Sequence, residues 1–376
     1  MMLLSLALCA LVAPAAFAHP LEPSSKLSRR QQDIDVTVLQ FALTLEHLEN
    51  AFYKLALQTL TQQHFMDAGF GANYFNNIQL IAEDEDQHVQ FLTSALMTAG
   101  AQPVAPCTYN FNITDVNSFI ALSNVLEGVG TSAYLGGAPL ITSKDILTAA
   151  GSILVTEALH TSLQRTALKA APGPNPFGTP LDPNAVFTLA ASFIVECPAT
   201  NEPLPFKAFP ALTSTAAACA CEGPDCGPSF FQKRQVHSPP AEAALDCVEP
   251  LSRTIRSQAE CVQSPAAPAQ AGGNNQANPT GPAAALCRPP SAGTTVAFEA
   301  AQAVTAGSFF TFVSGLMIVS VTAQIHETML TAMIPPGVAG QTYVMVTSSD
   351  LQGKFDAAAA LFGPAVLEGK LAVSLM

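Results

Sequence analysis

The sequence predicts a mainly α protein: a four-helix bundle with a fifth short helix, then a low-complexity segment and a small β-rich C-terminal part. Three observations carry this prediction. Between residues 33 and 171, apolar residues recur at helical spacing in four long stretches. Two of those stretches contain Glu-x-x-His, as Glu85-Asp86-Gln87-His88 and Glu157-Ala158-Leu159-His160. From about Thr294 onward, β-branched and aromatic runs bounded by Gly and Pro replace the helical period.

Taken in order, residues 1–18 read as a secretory signal peptide, with an apolar run from Leu3 to Ala16 and Ala16-Phe17-Ala18 as the cleavage site. Residues 19–30 end in Arg29-Arg30, which makes them a possible propeptide or a basic arm. The bundle is expected over 31–197. Helix one runs from about Asp33 to Leu60, with Val38, Leu45, Phe52 and Leu55 on its apolar face, and Gly69 and Gly71 break the chain after it. Helix two runs from about Tyr74 to Ala99, with Gly100 as its C-cap. The next fifteen residues can span roughly 50 Å, enough for a long crossover. Asp115 or Thr114 caps helix three, which ends near Gly136. Ser143 or Thr142 caps helix four, which the Pro-rich run after Ala171 stops. A fifth helix, about Pro183 to Val195, is apolar almost all round and should pack against the bundle.

A Glu and a His three residues apart share one helix face, so each Glu-x-x-His offers two donors to a metal. A two-metal bundle site also needs one Glu from each of two further helices. Helix one offers Glu46 and helix three offers Glu127, and Tyr53 and Tyr134 each follow their Glu by seven residues. The chain therefore reads as an internal duplication. The position equivalent to Glu49 is Gly130, which cannot ligate, so Glu46 is the expected ligand. Glu83, Asp84 and Asp86 read as a solvated face, and His47, His64, His237 and His326 have no partner pattern. Burying four carboxylates and two imidazoles without a counter-ion is costly, which favours metal binding over plain packing.

The stretches from Phe41 to Tyr53, Glu83 to Leu92, Leu126 to Gly136 and Thr156 to His160 resemble a ferritin-like di-iron-carboxylate domain. Specifically, residues 32–197 are similar to the secreted ferritin-like proteins of fungi, related to plant desiccation-related proteins, and Gly340 to Val344 also matches. The resemblance implies a ferritin-like four-helix bundle holding two iron ions, with Glu85 and Glu157 bridging, Glu46 and Glu127 terminal, and His88 and His160 on one metal each. It implies Tyr53 and Tyr134 as hydrogen bonders to the ligands. Carboxylate and imidazole donors suit iron, and also manganese.

Residues 198–293 are rich in Ala, Pro, Ser and Gly and read as poorly ordered. They hold Cys219, Cys221, Cys226, Cys247, Cys261 and Cys287, whose connectivity the spacing leaves open. Cys107 and Cys197 each follow a bundle helix, so they are expected to pair. Asn112-Ile113-Thr114 is a glycosylation sequon. Residues 294–376 form the β-rich part. Ala303 to Ala323 is uncharged over nearly a membrane-span length, yet its period-two stretches favour strands. A net charge of −13 argues against nucleic acid and anionic membrane as partners, and the oligomeric state is open. Two function classes follow. One is a secreted or wall-located di-iron oxidase acting on ferrous iron, dioxygen or peroxide. The other is a stress- or wall-associated structural protein with a structural metal.

Overall fold

The computed structural model describes residues 29–214, 292–368 and 371–373. The expected leader, most of the expected propeptide, and the six cysteines from Cys219 to Cys287 lie outside those residues. Four long helices make the bundle: α1 Arg29–Thr59, α3 Ala72–Thr98, α4 Val116–Gly137 and α5 Lys144–Ala167. α1 pairs with α3 and α4 with α5, and the two pairs meet along α1 and α4. Helix starts follow side-chain chemistry. Asp115 accepts from the Ser118 N–H at 2.7 Å to start α4, and Ser143 caps α5. Gly100, at φ 78°, closes α3 while the Ala101 N–H bonds the Leu96 carbonyl.

Two boundaries differ from expectation. The chain after α1 is not simply broken by glycines: a short helix α2, Gln62–Asp67, forms first, because Thr61 and His64 make a reciprocal capping box. The fifth helix, α6 Pro183–Ala191, stops short of Val195. There the chain becomes strand β2, Ile194–Glu196, antiparallel to β1, Thr108–Tyr109, in the crossover. The Cys107–Cys197 disulfide ties the same two segments, as expected.

The C-terminal part is two antiparallel sheets facing each other. One has the order β3 (Leu212–Ser214), β4 (Thr295–Ala300), β8 (Met329–Met333), β7 (Gln324–His326). The other has the order β11 (Leu371–Val373), β10 (Ala360–Glu368), β9 (Thr342–Thr347), β5 (Phe309–Ser314), β6 (Met317–Thr322). The stretch Ala303 to Ala323 thus supplies two strands. β3 lies inside the segment expected to be poorly ordered, so the β part recruits chain from before residue 215 as well as after 291.

The larger sheet is buried on both faces, and its alternation shows how. Phe310, Phe312, Val344 and Val346 point into the sandwich against Phe298 and Leu330. Val313, Tyr343, Met345 and Val366 point the other way and join the bundle core. A sheet covered on both faces needs apolar residues at both phases of its period of two, which is why this run is uncharged throughout. Tyr343 anchors the contact by donating to the Gly128 carbonyl at 2.9 Å, with Ser132 Oγ at 2.8 Å, while Gln341 donates to the Val125 carbonyl at 3.2 Å. A Cβ on Gly128 would stand 2.1 Å from Gln341 Oε1, so a larger residue there would displace that amide.

Candidate metal centre

All six expected ligands meet in the middle of the bundle. α1 contributes Glu46, α3 Glu85 and His88, α4 Glu127, and α5 Glu157 and His160. The four carboxylates have no exposed surface. They form two overlapping sets of donors. Glu46, Glu85, His88 and Glu157 each place a donor atom within 4.8 Å of the others, and so do Glu85, Glu127, Glu157 and His160. Glu85 and Glu157 belong to both sets, the place a bridging ligand must occupy.

Both imidazoles present Nδ1 to the cluster. His88 Nδ1 lies 3.2 Å from Glu46, 3.3 Å from Glu157 and 3.4 Å from Glu85. His160 Nδ1 lies 3.1 Å from Glu85 and 3.2 Å from Glu127. One ring nitrogen carries at most one proton and cannot serve two or three oxygens. Accordingly both oxygens of Glu85 and both of Glu157 are buried without a hydrogen bond of good geometry. Such orphaned acceptors are costly. A cation on each donor set would satisfy them together, so the residues fit a pair of metal ions.

The electrostatics agree with a site short of positive charge. Burial pushes the Glu85 carboxyl up to about 7 even though His160 and His88 pull it down. Glu157 is raised well above the usual carboxylate range by burial and then by Glu85. Burial alone would depress the imidazoles, but Glu127 and its neighbours outweigh it and push His160 up to about 12. His88 is raised likewise, chiefly through Glu157 and Glu46 against the same burial. Repelling carboxylates hold protons wherever they can.

The two tyrosines do bond the ligands, and they do so crosswise. Tyr53 of α1 donates to Glu127 of α4 and lies 2.6 Å from Ser123 Oγ. Tyr134 of α4 donates to Glu46 of α1 at 2.5 Å. Four further residues belong to the site that the sequence reading did not place there. Asp84, expected on a solvated face, is half exposed but places Oδ2 3.1 Å from His160 Nε2. That contact fixes the tautomer that leaves Nδ1 free to ligate. Its neighbour Asp86 does make a surface network, with Lys54, Asn50 and Gln90, and the first two hold its carboxyl down to about 2. Gln164 and Tyr74 extend the tyrosine chain, with Tyr74 donating to Gln164 at 2.5 Å and Gln164 to the Tyr53 hydroxyl at 3.4 Å. Glu49 is a fifth buried carboxylate, raised by burial and by Glu157. A Cβ on Gly130 would lie 2.8 Å from Glu49 Oε1 and 2.9 Å from Glu157 Oε2. Gly130 therefore makes room for both side chains, and the pairing of Glu49 with a glycine was the signal that could have shown it.

Residues 34–170 match the family model described as a ferritin-like domain. The fold is ferritin-like. Protein rds1 of Schizosaccharomyces pombe is 31% identical over 184 residues, which is 48% of this chain and 44% of that protein. The chain thus spans less than half the length of the curated relative it matches. Two solved structures are also similar. A conserved hypothetical protein, rv2844, from Mycobacterium tuberculosis is 16% identical with a TM-score of 0.33, over 37% of this chain and 94% of the other. Ferritin-like, diiron-carboxylate proteins from Bacillus anthracis are represented by a chain 14% identical with a TM-score of 0.32, over 38% and 99%. Among the described residues α5 alone is long and apolar enough to cross a membrane by composition, and it carries Glu157 and His160 into the buried cluster.

Proposed function

We propose that the chain is a secreted protein whose bundle binds two iron ions, with manganese the alternative, and that it oxidises ferrous iron or consumes dioxygen or peroxide. The observation that carries the metal reading is the set of four orphaned oxygens on Glu85 and Glu157, placed between two inward-facing imidazole nitrogens. The donor set, all carboxylate oxygen and imidazole nitrogen, favours iron and manganese over metals that prefer thiolates. When bound, the ion pair supplies one-electron redox chemistry toward small oxidants. Glu85 and Glu157 would hold the shared positions, with Glu46 and His88 at one end and Glu127 and His160 at the other. Tyr53 and Tyr134 keep Glu127 and Glu46 oriented. Secretion is supported by the apolar leader and by the Cys107–Cys197 disulfide, which persists in oxidising compartments. Exposed Asn112, in the crossover, is the glycan site this location would use.

Metal content tests the reading. Protein purified from its own secretion pathway should carry two ions per chain, His88→Ala and His160→Ala should each carry less, and the double variant nearly none. Equal metal in wild type and double variant would remove the reading. Loaded protein that neither oxidises added ferrous iron nor consumes peroxide would leave the metal in place and make its role structural, in a stress- or wall-associated protein.

A further inference from the structure

The two ends of the centre carry the same kinds of donor and differ in what stands behind them. At the Glu127–His160 end the tyrosine bond is backed by a chain. Tyr74 donates to Gln164 Oε1 at 2.5 Å, which turns the Gln164 amide nitrogen toward the Tyr53 hydroxyl at 3.4 Å. Ser123 Oγ lies 2.6 Å from the same hydroxyl. With its oxygen facing these two donors, Tyr53 commits its own proton to Glu127. Gln164 and Ser123 are fully buried. Tyr74, at the outer end, is stacked on Phe70 with ring centroids 4.9 Å apart. Asp84 stands behind His160 at this same end.

The equivalent positions at the Glu46–His88 end are apolar. The alignment that pairs Glu46 with Glu127 and Glu85 with Glu157 also pairs Ser123 with Ala42, Gln164 with Leu92 and Tyr74 with Ile146. Ala42, Leu92 and Ile146 pack in one apolar cluster with Tyr134. Tyr134 donates to Glu46 at 2.5 Å, and among the described residues no side chain donates to its hydroxyl in turn. A hydroxyl that accepts hydrogen bonds becomes a stronger donor, because bonds in a chain polarise one another. The chain therefore holds Glu127 in place before an ion arrives, whereas Glu46 rests on a single bond. A group already held in place loses less freedom when it binds.

We propose that Gln164 and Tyr74 are positioning residues that act through Tyr53 on Glu127, and that the Glu127–His160 end therefore takes up its ion first. This rests on the metal reading above and adds to it the order of filling and the residues that set that order.

Anaerobic titration of the full chain with manganese, followed by the paramagnetic resonance of the free ion, reads each end by itself once one histidine is removed. His88→Ala leaves the Glu127–His160 end and should keep one ion tightly. His160→Ala leaves the other end and should hold its ion about tenfold more weakly. Added to His88→Ala, Gln164→Leu, which copies Leu92, should weaken the remaining ion about tenfold. Added to His160→Ala, the same change should leave the affinity as it was, which a general loosening of the bundle would not do. Tyr74→Phe removes only a hydroxyl near the surface and takes the place of Gln164→Leu if that protein does not fold. Equal affinities in the two histidine variants overturn the proposal and leave the metal reading intact. So does an effect of the added change that is absent from His88→Ala or equal in both. Wild type that takes up no manganese removes the metal reading and the proposal with it.

Discussion

The two halves of the bundle carry the same ligands on different backgrounds. Glu46 and Tyr53 on α1 repeat as Glu127 and Tyr134 on α4, and Glu85 with His88 repeats as Glu157 with His160. Around them the halves diverge. α1 packs phenylalanine: Phe52 is stacked on Phe119 at 5.2 Å and meets the edge of Phe111 at 5.3 Å. α4 carries glycine at 128, 130, 136 and 137, each with a structural circumstance. Gln341 lies over Gly128, Glu49 and Glu157 over Gly130, and the Leu181 carbonyl would be 2.0 Å from a Cβ on Gly136. Gly137 has open space beside it, with nothing within 4 Å of a Cβ placed there. The Glu and His pattern answers to the proposed metals and is kept in both copies. The rest answers to what packs outside each helix, and α4 lies under the β part, where Tyr343 and Gln341 donate to its backbone carbonyls. A duplicated site can therefore be symmetric at its donors and unlike in everything that approaches them.

The largest effect separates the two packing regimes. Phe52→Ala should cost about 3–5 kcal/mol, because a wholly buried ring leaves a cavity its neighbours cannot collapse into. Ala133→Gly, its counterpart, should cost about 1 kcal/mol, the helix propensity of glycine with little packing lost. Urea unfolding measures both. Equal costs would mean the halves are packed alike and the comparison fails.

The second prediction concerns what the halves share. In metal-free protein Glu85 has a folded-state value of about 7, above its ordinary one, so folding favours its protonated form. That contribution is complete below about pH 4.5 and is lost as pH rises toward 7, on the order of 3 kcal/mol. Glu157 and Glu49, also raised by burial, add in the same direction. The imidazoles have the same sign: raised above 6.5, they contribute fully below that pH and would be lost only as pH climbs toward the His160 value of about 12. Chelator-treated protein should therefore unfold at lower urea at pH 7.5 than at pH 5. Metal-loaded protein should reverse the trend, because metals bind the deprotonated carboxylates. A metal-free midpoint flat between these pH values would remove the account of the centre as buried carboxylates held protonated.

The bundle and the meeting of its six Glu and His residues were legible because helical period and Glu-x-x-His both act within a few residues. The repeat of Glu46 and Tyr53 as Glu127 and Tyr134 was legible for the same reason, and the Cys107–Cys197 pair followed from their places after bundle helices. Long-range consequences were not. The crosswise bonding of the tyrosines depends on how α1 and α4 face each other. Glu49 was passed over because a glycine at the equivalent position argues against a ligand, although the same glycine makes room for a buried carboxylate. Strands β4, β7, β8 and β10 went unread: β7 and β8 are three and five residues long, β4 carries Glu299, and β10 contains Gly363-Pro364, while β5, β6 and β9 stood out as β-branched and aromatic runs. β2 was absorbed into the fifth helix because its partner in the crossover is far away in sequence.

The smallest effect tests whether the halves differ in holding their metals as well as in packing. Asp84 bonds His160 Nε2, while the equivalent residue beside Glu157 is Thr156, whose hydroxyl bonds back to the Ser152 carbonyl at 3.4 Å. One imidazole therefore has a carboxylate setting its tautomer and orientation, and the residue equivalent to that carboxylate serves its own helix instead. Removing an outer partner of a ligating histidine costs about 10–100-fold in metal affinity, and Asp84 is half exposed, so the lower figure applies. In an anaerobic titration with manganese, Asp84→Ala should weaken one of the two binding steps about tenfold and leave the other unchanged, and Thr156→Ala should change neither. If both steps weaken together, Glu85 and Glu157 couple the two positions so tightly that the ions bind as a unit. The halves would then be distinguishable in their packing and indistinguishable to the metals.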